Sequence, residues 1–146
     1  MTKKDKIVWI INPYGNLPNE GWSKYRVQLI AEAFNEAGIK VIWFTSNFKH
    51  RSKTFRDKHS TININNNFKI ILLETNGYKS NVSFSRIKFE IEFANKFLHE
   101  VKINNYQKPI NTIVVEPSSI YSKKIERYLT NNNIDYSVDV LDLWPE

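Results

Sequence analysis

Cysteine is missing altogether from the 146 residues. That removes disulfides, thiolate metal ligands and a cysteine nucleophile together, and it suits a reducing compartment. Glycine and proline are scarce as well, at four and five residues, which excludes collagen-like and linker-rich chains. Long apolar runs are absent: no stretch approaches the ~20 residues that span a bilayer. The segment Ile7 to Ile11 is too short for a signal-peptide core, and no small-residue cleavage site follows it. His50, His59 and His99 show no metal-ligand spacing. The expectation is a cytoplasmic domain with no metal and no cofactor.

What is present suits a packed core. Apolar residues make up 41% and aromatics 14% of the chain, too much for a disordered segment. The length fits one domain over residues 1–146. The net charge is +6, which favours polyanionic partners or simply a solubilising surface.

Lys6 to Asn12 is a continuous apolar run of strand length, the pattern of a strand covered on both faces. Asn12 to Gly21 is dense in turn residues and reads as a loop. Ser23 is the candidate N-cap of a first helix, with Val27, Ile30, Ala31 and Phe34 at helical spacing and Gly38 as its stop. Val41 to Phe44 and Phe68 to Leu73 are further buried strands. Between them, Ser46 to Asn67 is polar, basic and without period, and reads as a long mobile insertion. Phe84 to Val101 is an amphipathic helix with Ile87, Ile91, Ala94, Leu98 and Val101 as its apolar stripe, widened by Phe93 and Phe97. Thr112 to Val115 is a fourth strand, Ser118 to Asn131 a third helix, and Tyr136 to Leu141 a fifth strand. Strands alternating with helices imply an α/β fold: a Rossmann-like parallel sheet of about five strands, in spatial order 3-2-1-4-5, with helices on both faces. A further helix is expected after the fifth strand, so its cover comes from more chain or from a partner.

In such a sheet ligands bind beyond the carboxyl ends of the strands. Four loops lie there: Asn12 to Trp22, Ser46 to Asn67, Glu116 to Ser119 and Asp142 to Glu146. The first has Gly15 and Gly21 ahead of a helix but is neither a dinucleotide fingerprint nor a Walker loop. Arg26 offers a two-pronged grip on a carboxylate or phosphate. Lys49, Arg51, Lys53, Arg56 and Lys58, interleaved with Phe48 and Phe55, make residues 49–58 a candidate contact for a membrane surface or a pyrophosphate. Asp139, within a strand, needs a partner such as a backbone N–H or an arginine.

The opening Val8-Trp9-Ile10-Ile11-Asn12, a glycine-containing loop, Tyr25-Arg26 and the helix running to Ala37-Gly38-Ile39-Lys40-Val41 resemble the start of family 4 glycosyltransferases. The likeness is to the bacterial capsule and O-antigen branch, and Phe44 to His50 matches that branch's second strand and basic loop. Asp139 to Glu146 is similar to its D-x-R-D-L-W-P-E signature, with Leu141 where the family usually has arginine. The resemblance implies one half of a GT-B fold, the N-terminal half, which mostly holds the acceptor. It implies retaining transfer of a sugar from a nucleotide-sugar to a lipid-linked or polysaccharide acceptor, without a metal. The donor-binding domain lies outside this chain, so the chain alone is expected to be inactive. On this reading Gly15, Asn16, Trp22, Tyr25, Arg26, Glu116 and Trp144 bind substrate. Asp142 orients the attacking hydroxyl, and either tryptophan stacks on a sugar. A separate subunit of a split enzyme and a non-catalytic interaction module remain alternatives. RNA binding is suggested only by charge, and nucleic acid is not the expected partner.

Overall fold

A computed structural model describes residues 6–21, 23–56, 61–116 and 119–140. The elements run β1 (Ile7–Ile11), α1 (Arg26–Glu36), β2 (Lys40–Ser46), β3 (Phe48–Lys49), β4 (Thr54–Phe55), β5 (Thr61–Asn65), β6 (Phe68–Leu73), α2 (Phe84–Ile103), β7 (Asn111–Glu116), α3 (Ser119–Asn131) and β8 (Tyr136–Val140). Five strands pair in parallel in the order β6-β2-β1-β7-β8, which is the order expected from the alternation of elements.

The continuous apolar strands are covered twice. Ile7, Trp9 and Ile11 point to the α2–α3 face, where they join Phe44, Phe93, Phe97, Tyr121, Ile125 and Leu129. Val8 and Ile10 point to the α1 face with Val27, Ala31, Val41, Trp43 and Ile70. Side chains alternate between faces, so a strand covered on one side only would alternate in polarity instead.

Four expectations need correction. A sixth strand, β5, pairs antiparallel with β6 at the edge of the sheet. It turns through Asn65-Asn66-Asn67, where the Asn67 N–H donates to Asn65 Oδ1 at 2.8 Å, an asparagine-made turn. The segment from Ser46 to Asn67 is therefore not one long loop: its described residues carry β5 and the small β3–β4 hairpin. β5 alternates Ile62 and Ile64 with polar residues, a period of two that its polar surroundings obscured, and the two-residue strands are too short to show any period.

The first helix begins at Arg26. Its cap residue is Tyr25, which makes no side-chain cap bond, so Ser23 does not serve as the cap. Gly38 does end it, in the left-handed region at φ +75°. On α2 the stripe is rotated: Phe89, Glu90, Phe93, Ala94, Phe97 and Val101 are buried, whereas Ile87 and Ile91 are exposed. The aromatic residues fill the space under the sheet that the isoleucines were expected to fill. Ser83 caps α2 by accepting from the Arg86 N–H at 3.2 Å. Among the described residues no helix is long and apolar enough to cross a membrane.

Candidate functional site

The carboxyl ends of β1, β2 and β6 are tied together before any ligand is considered. Asn12 ends β1, its N–H donating to the Phe44 carbonyl at 3.1 Å and its side-chain oxygen accepting from the Tyr14 N–H at 3.0 Å. The loop then passes close over β2. A Cβ on Gly15 would lie 2.7 Å from the Trp43 ring and 2.9 Å from the Asn12 amide, so packing alone demands glycine there.

Arg56 fastens this loop to the next. Its guanidinium donates to both Glu20 carboxylate oxygens, Nε at 2.8 Å and Nη2 at 3.0 Å. It also reaches the carbonyls of Gly15 at 2.8 Å, Ser46 at 2.8 Å and Phe48 at 3.2 Å. The side chain is buried, and a buried guanidinium is tolerable only with its donors engaged. Burial works against ionisation of Glu20, but Arg56, the Leu17 N–H and Lys49 outweigh it and hold the carboxyl below its usual range.

Beside this fastening lies a pocket of about 320 Å³ lined by Tyr14, Asn16, Tyr25, His50, Arg51, Lys53 and Asn81. Its back wall is a chain of polar contacts between α2 and the loops. The Tyr14 hydroxyl donates to Glu90, which is buried and pairs with Arg86 at 3.5 Å. The Arg86 guanidinium lies over the Tyr14 ring, 5.3 Å from its centroid. His50 Nδ1 meets the Tyr78 hydroxyl. Lys53 Nζ donates to Asn81 Oδ1 at 2.6 Å and sits 4.5 Å above the Tyr78 ring.

Ionisation follows from this geometry. Burial, then the charges of Lys53 and Arg86, push His50 down to about 4, so the imidazole is neutral at neutral pH. Burial and the neighbouring Glu90 raise the Tyr14 phenol far above its ordinary value, and burial raises Tyr78 likewise. Lys53 is pulled below its ordinary value by burial and by Arg86. The pocket is thus lined by the protonated Tyr14 phenol, the Asn16 and Asn81 amides and a neutral imidazole on a positive background. That is equipment for binding hydroxyl-rich or anionic groups; a base with so low a pKa is a weak proton acceptor.

Of the residues singled out in the sequence, Asn16 and Tyr25 line this pocket, and Gly15 lies under it as a packing residue. Arg26 is elsewhere: its Nη2 pairs with Asp139 at 2.7 Å, which supplies the partner that the buried aspartate requires. Within residues 49–58, Arg56 is committed to the interior, while Arg51 and Lys53 face the pocket. Glu116 closes β7. Trp22, Asp142 and Trp144 lie outside the described residues. Tyr14, Tyr78, Asn81, Arg86 and Glu90 were not singled out. The one signal for them was an Arg-to-Glu step of four residues, Arg86 to Glu90, on the helix flank that carries Phe89 and Phe93.

No family model matches the chain, and no curated protein matches it in sequence. Solved structures do. Two structures of sucrose-phosphate synthase from Thermosynechococcus elongatus superpose with TM-scores of 0.57 and 0.58 at 11% and 12% identity. The fold is glycosyltransferase-like. Both alignments cover 91% of this chain, but it spans only 61% and 32% of those two chains. The shared fold is a Rossmann-like half of a GT-B fold.

Proposed function

We propose that this chain is the acceptor-side half of a retaining glycosyltransferase, cytoplasmic and working on a lipid-linked or polysaccharide acceptor of the capsule or O-antigen kind. The observation that carries the reading is the pocket at the carboxyl ends of β1 and β2, in a glycosyltransferase-like fold, where Tyr25 and Tyr14 offer ring faces and Asn16 an amide. Aromatic faces and amides suit a sugar, which has apolar C–H surfaces and a rim of hydroxyls.

In the transfer, the bond from the anomeric carbon to the nucleotide phosphate breaks and a bond to the acceptor oxygen forms on the same face. The acceptor proton passes to the departing phosphate oxygen, so no strong protein base is required. This half contributes orientation of the acceptor, with Asp142 aligning its hydroxyl and Trp22 or Trp144 stacking on the ring. Contacts to the nucleotide-sugar belong to a donor half. Val82 and Phe84, 93% and 85% exposed, are apolar surface beside this edge that a donor half would meet, in the same chain or in a second one.

Calorimetric titration of a nucleotide-sugar is the test. The chain alone is expected to bind no tighter than about 1 mM and to show no transfer; joined to its donor half it transfers, and Asp142→Asn lowers turnover with the melting temperature unchanged. Micromolar donor affinity of this chain alone would overturn the division of labour. Turnover of Asp142→Asn within about twofold of the parent, ~0.4 kcal/mol in barrier, would remove Asp142 from the mechanism.

A further inference from the structure

Lys53 occupies a position that its own charge disfavours. It sits at the end of the β3–β4 hairpin with φ +57°, a left-handed conformation uncommon for a residue with a side chain. The Lys53 N–H donates to the Lys49 carbonyl at 2.9 Å, which fixes the turn. The side chain is then held between the Tyr78 ring and the Asn81 amide oxygen. Neither is an anion, and among the described residues no carboxylate pairs with the ammonium. Burial and the Arg86 charge already pull Lys53 toward its neutral form.

The rest of the surroundings add positive potential. Asn81 lies two residues before Ser83, the N-cap of α2, whose first turn holds no acidic residue, and the N-terminal end of a helix of this length carries a partial positive charge. The Arg86 guanidinium donates to the Asn81 backbone carbonyl at 2.9 Å, fixing the backbone there. The Tyr78 hydroxyl meets His50 Nδ1; with Tyr78 donating that bond, the proton of the neutral imidazole is on Nε2, and His50 lines the pocket.

We propose that the pocket between the β3–β4 hairpin and the start of α2 binds a phosphate or pyrophosphate group, with Lys53 as its charge partner and His50 and Asn81 as hydrogen-bond donors. The Asn81 amide nitrogen and the Lys53 ammonium lie on one wall, and an oxyanion between them restores the counter-charge that Lys53 lacks. The proposal rests on the acceptor-side reading for why such a group arrives there. A phosphorylated carrier would place its sugar toward Tyr25 and Asn16 while its phosphate meets Lys53. The phosphate could equally belong to a lipid headgroup or to a soluble molecule.

The test needs no sugar donor, so this inference and the transferase reading can fail separately. The chain is titrated by calorimetry with inorganic pyrophosphate. It is also tested for sedimentation with vesicles of phosphatidylglycerol and, as control, phosphatidylcholine. Saturable pyrophosphate binding assigns the site to a soluble or substrate phosphate; binding to phosphatidylglycerol vesicles alone assigns it to a headgroup. In either arm Lys53→Asn, which tolerates the left-handed backbone but removes the charge, is expected to weaken binding about tenfold, and Lys53→Arg to retain it. Asn81→Asp, which supplies a built-in carboxylate to the ammonium, is expected to abolish binding with the melting temperature held or raised. Failure of both probes, or binding undiminished by Lys53→Asn and Asn81→Asp, overturns the proposal.

Discussion

Around β1, β2 and β6 the carboxyl edge is closed by buried charge. Around β7 and β8, among the described residues, it is tied by the pair Arg26 to Asp139, whose arginine is 65% exposed, and Val138 and Val140 stand open to solvent. Both regions contain an arginine engaging a carboxylate at 2.7–2.8 Å, yet the two pairs do different work. Arg56 directs its donors to Glu20 and to the carbonyls of Gly15, Ser46 and Phe48, so it ties the first loop to the ends of β2 and β3. Arg26 compensates one buried oxygen of an edge strand. Distance alone does not distinguish them; burial and the number of partners do.

The sharpest way to break the comparison is to remove each arginine. Arg56→Met removes the guanidinium from Glu20 and from three carbonyls and is expected to cost about 3–5 kcal/mol. Arg26→Met exposes Asp139 to water at an open edge and is expected to cost about 1 kcal/mol. Urea unfolding measures both. Equal losses would mean that the two pairs are equivalent and that the pocket side has no special rigidity.

The next largest effect concerns glycine. A Cβ on Gly77 would lie 2.5 Å and 2.7 Å from the buried Phe48 ring and 2.9 Å from Phe55. Gly77→Ala must therefore displace the hairpin beside the pocket, at about 2–3 kcal/mol. Gly38→Ala meets nothing within 4 Å but strains a backbone at φ +75°, which costs about 1 kcal/mol. Thermal melts of the pair separate crowding from backbone strain. A smaller loss for Gly77→Ala than for Gly38→Ala would show that the hairpin yields freely and that the pocket wall is soft.

These contrasts also explain what the sequence could and could not reveal. Four of the five parallel strands were legible because each carries an unbroken apolar run that needs cover on both faces; β8, which contains Ser137 and Asp139, was legible from its place in the alternation of elements. Asp139 was legible as a residue in need of a partner, and Arg26 was already noticed, although as a ligand grip. The hairpin was hidden, because Phe48, Lys49, Thr54 and Phe55 make strands of two residues each, too short for any period. Arg56 looked like one more cation in a basic loop, and only its meeting with Glu20, 36 residues away, shows it to be interior. The stripe on α2 was misplaced because isoleucine and phenylalanine alternate along it, and sequence spacing alone does not say which of two apolar flanks faces the sheet.

Within the pocket side, Tyr14→Phe tests whether the polar wall or the aromatic packing matters more. The ring keeps its place beside His50 and Phe89, with centroids 5.0 Å and 5.7 Å away, but the buried Glu90 loses the Tyr14 donor. The expected cost is about 1–2 kcal/mol, in the range for a buried carboxylate deprived of one hydrogen bond. An unchanged denaturation midpoint would assign the stability of this wall to ring packing alone.

The smallest expected effect is a pH dependence that only the pocket side should show. His50 has a folded-state pKa of about 4 against an ordinary 6.5. In the unfolded chain the ring takes up a proton as pH falls through 6.5; in the folded domain it does so only near 4. The unfolded state therefore binds more protons across that interval, so the stability associated with neutral His50 is complete above pH 6.5 and is lost progressively toward pH 4. A shift of that size corresponds to ~3 kcal/mol if fully expressed, and solvent access to the half-buried ring reduces it to roughly 1 kcal/mol. Glu20 is held below 4.5, so its own contribution is lost only at lower pH, and His99 is exposed. Stability measured by urea unfolding between pH 6.5 and 4.5 should fall in the parent and fall less in His50→Gln, whose amide takes up no proton there. Saturating pyrophosphate, placed beside the ring, should favour the imidazolium and flatten the parent's slope as well. Parallel slopes in parent and His50→Gln would show that the imidazole is solvated in the folded domain, and the contrast between the two ends of the sheet would then rest on Arg56 alone.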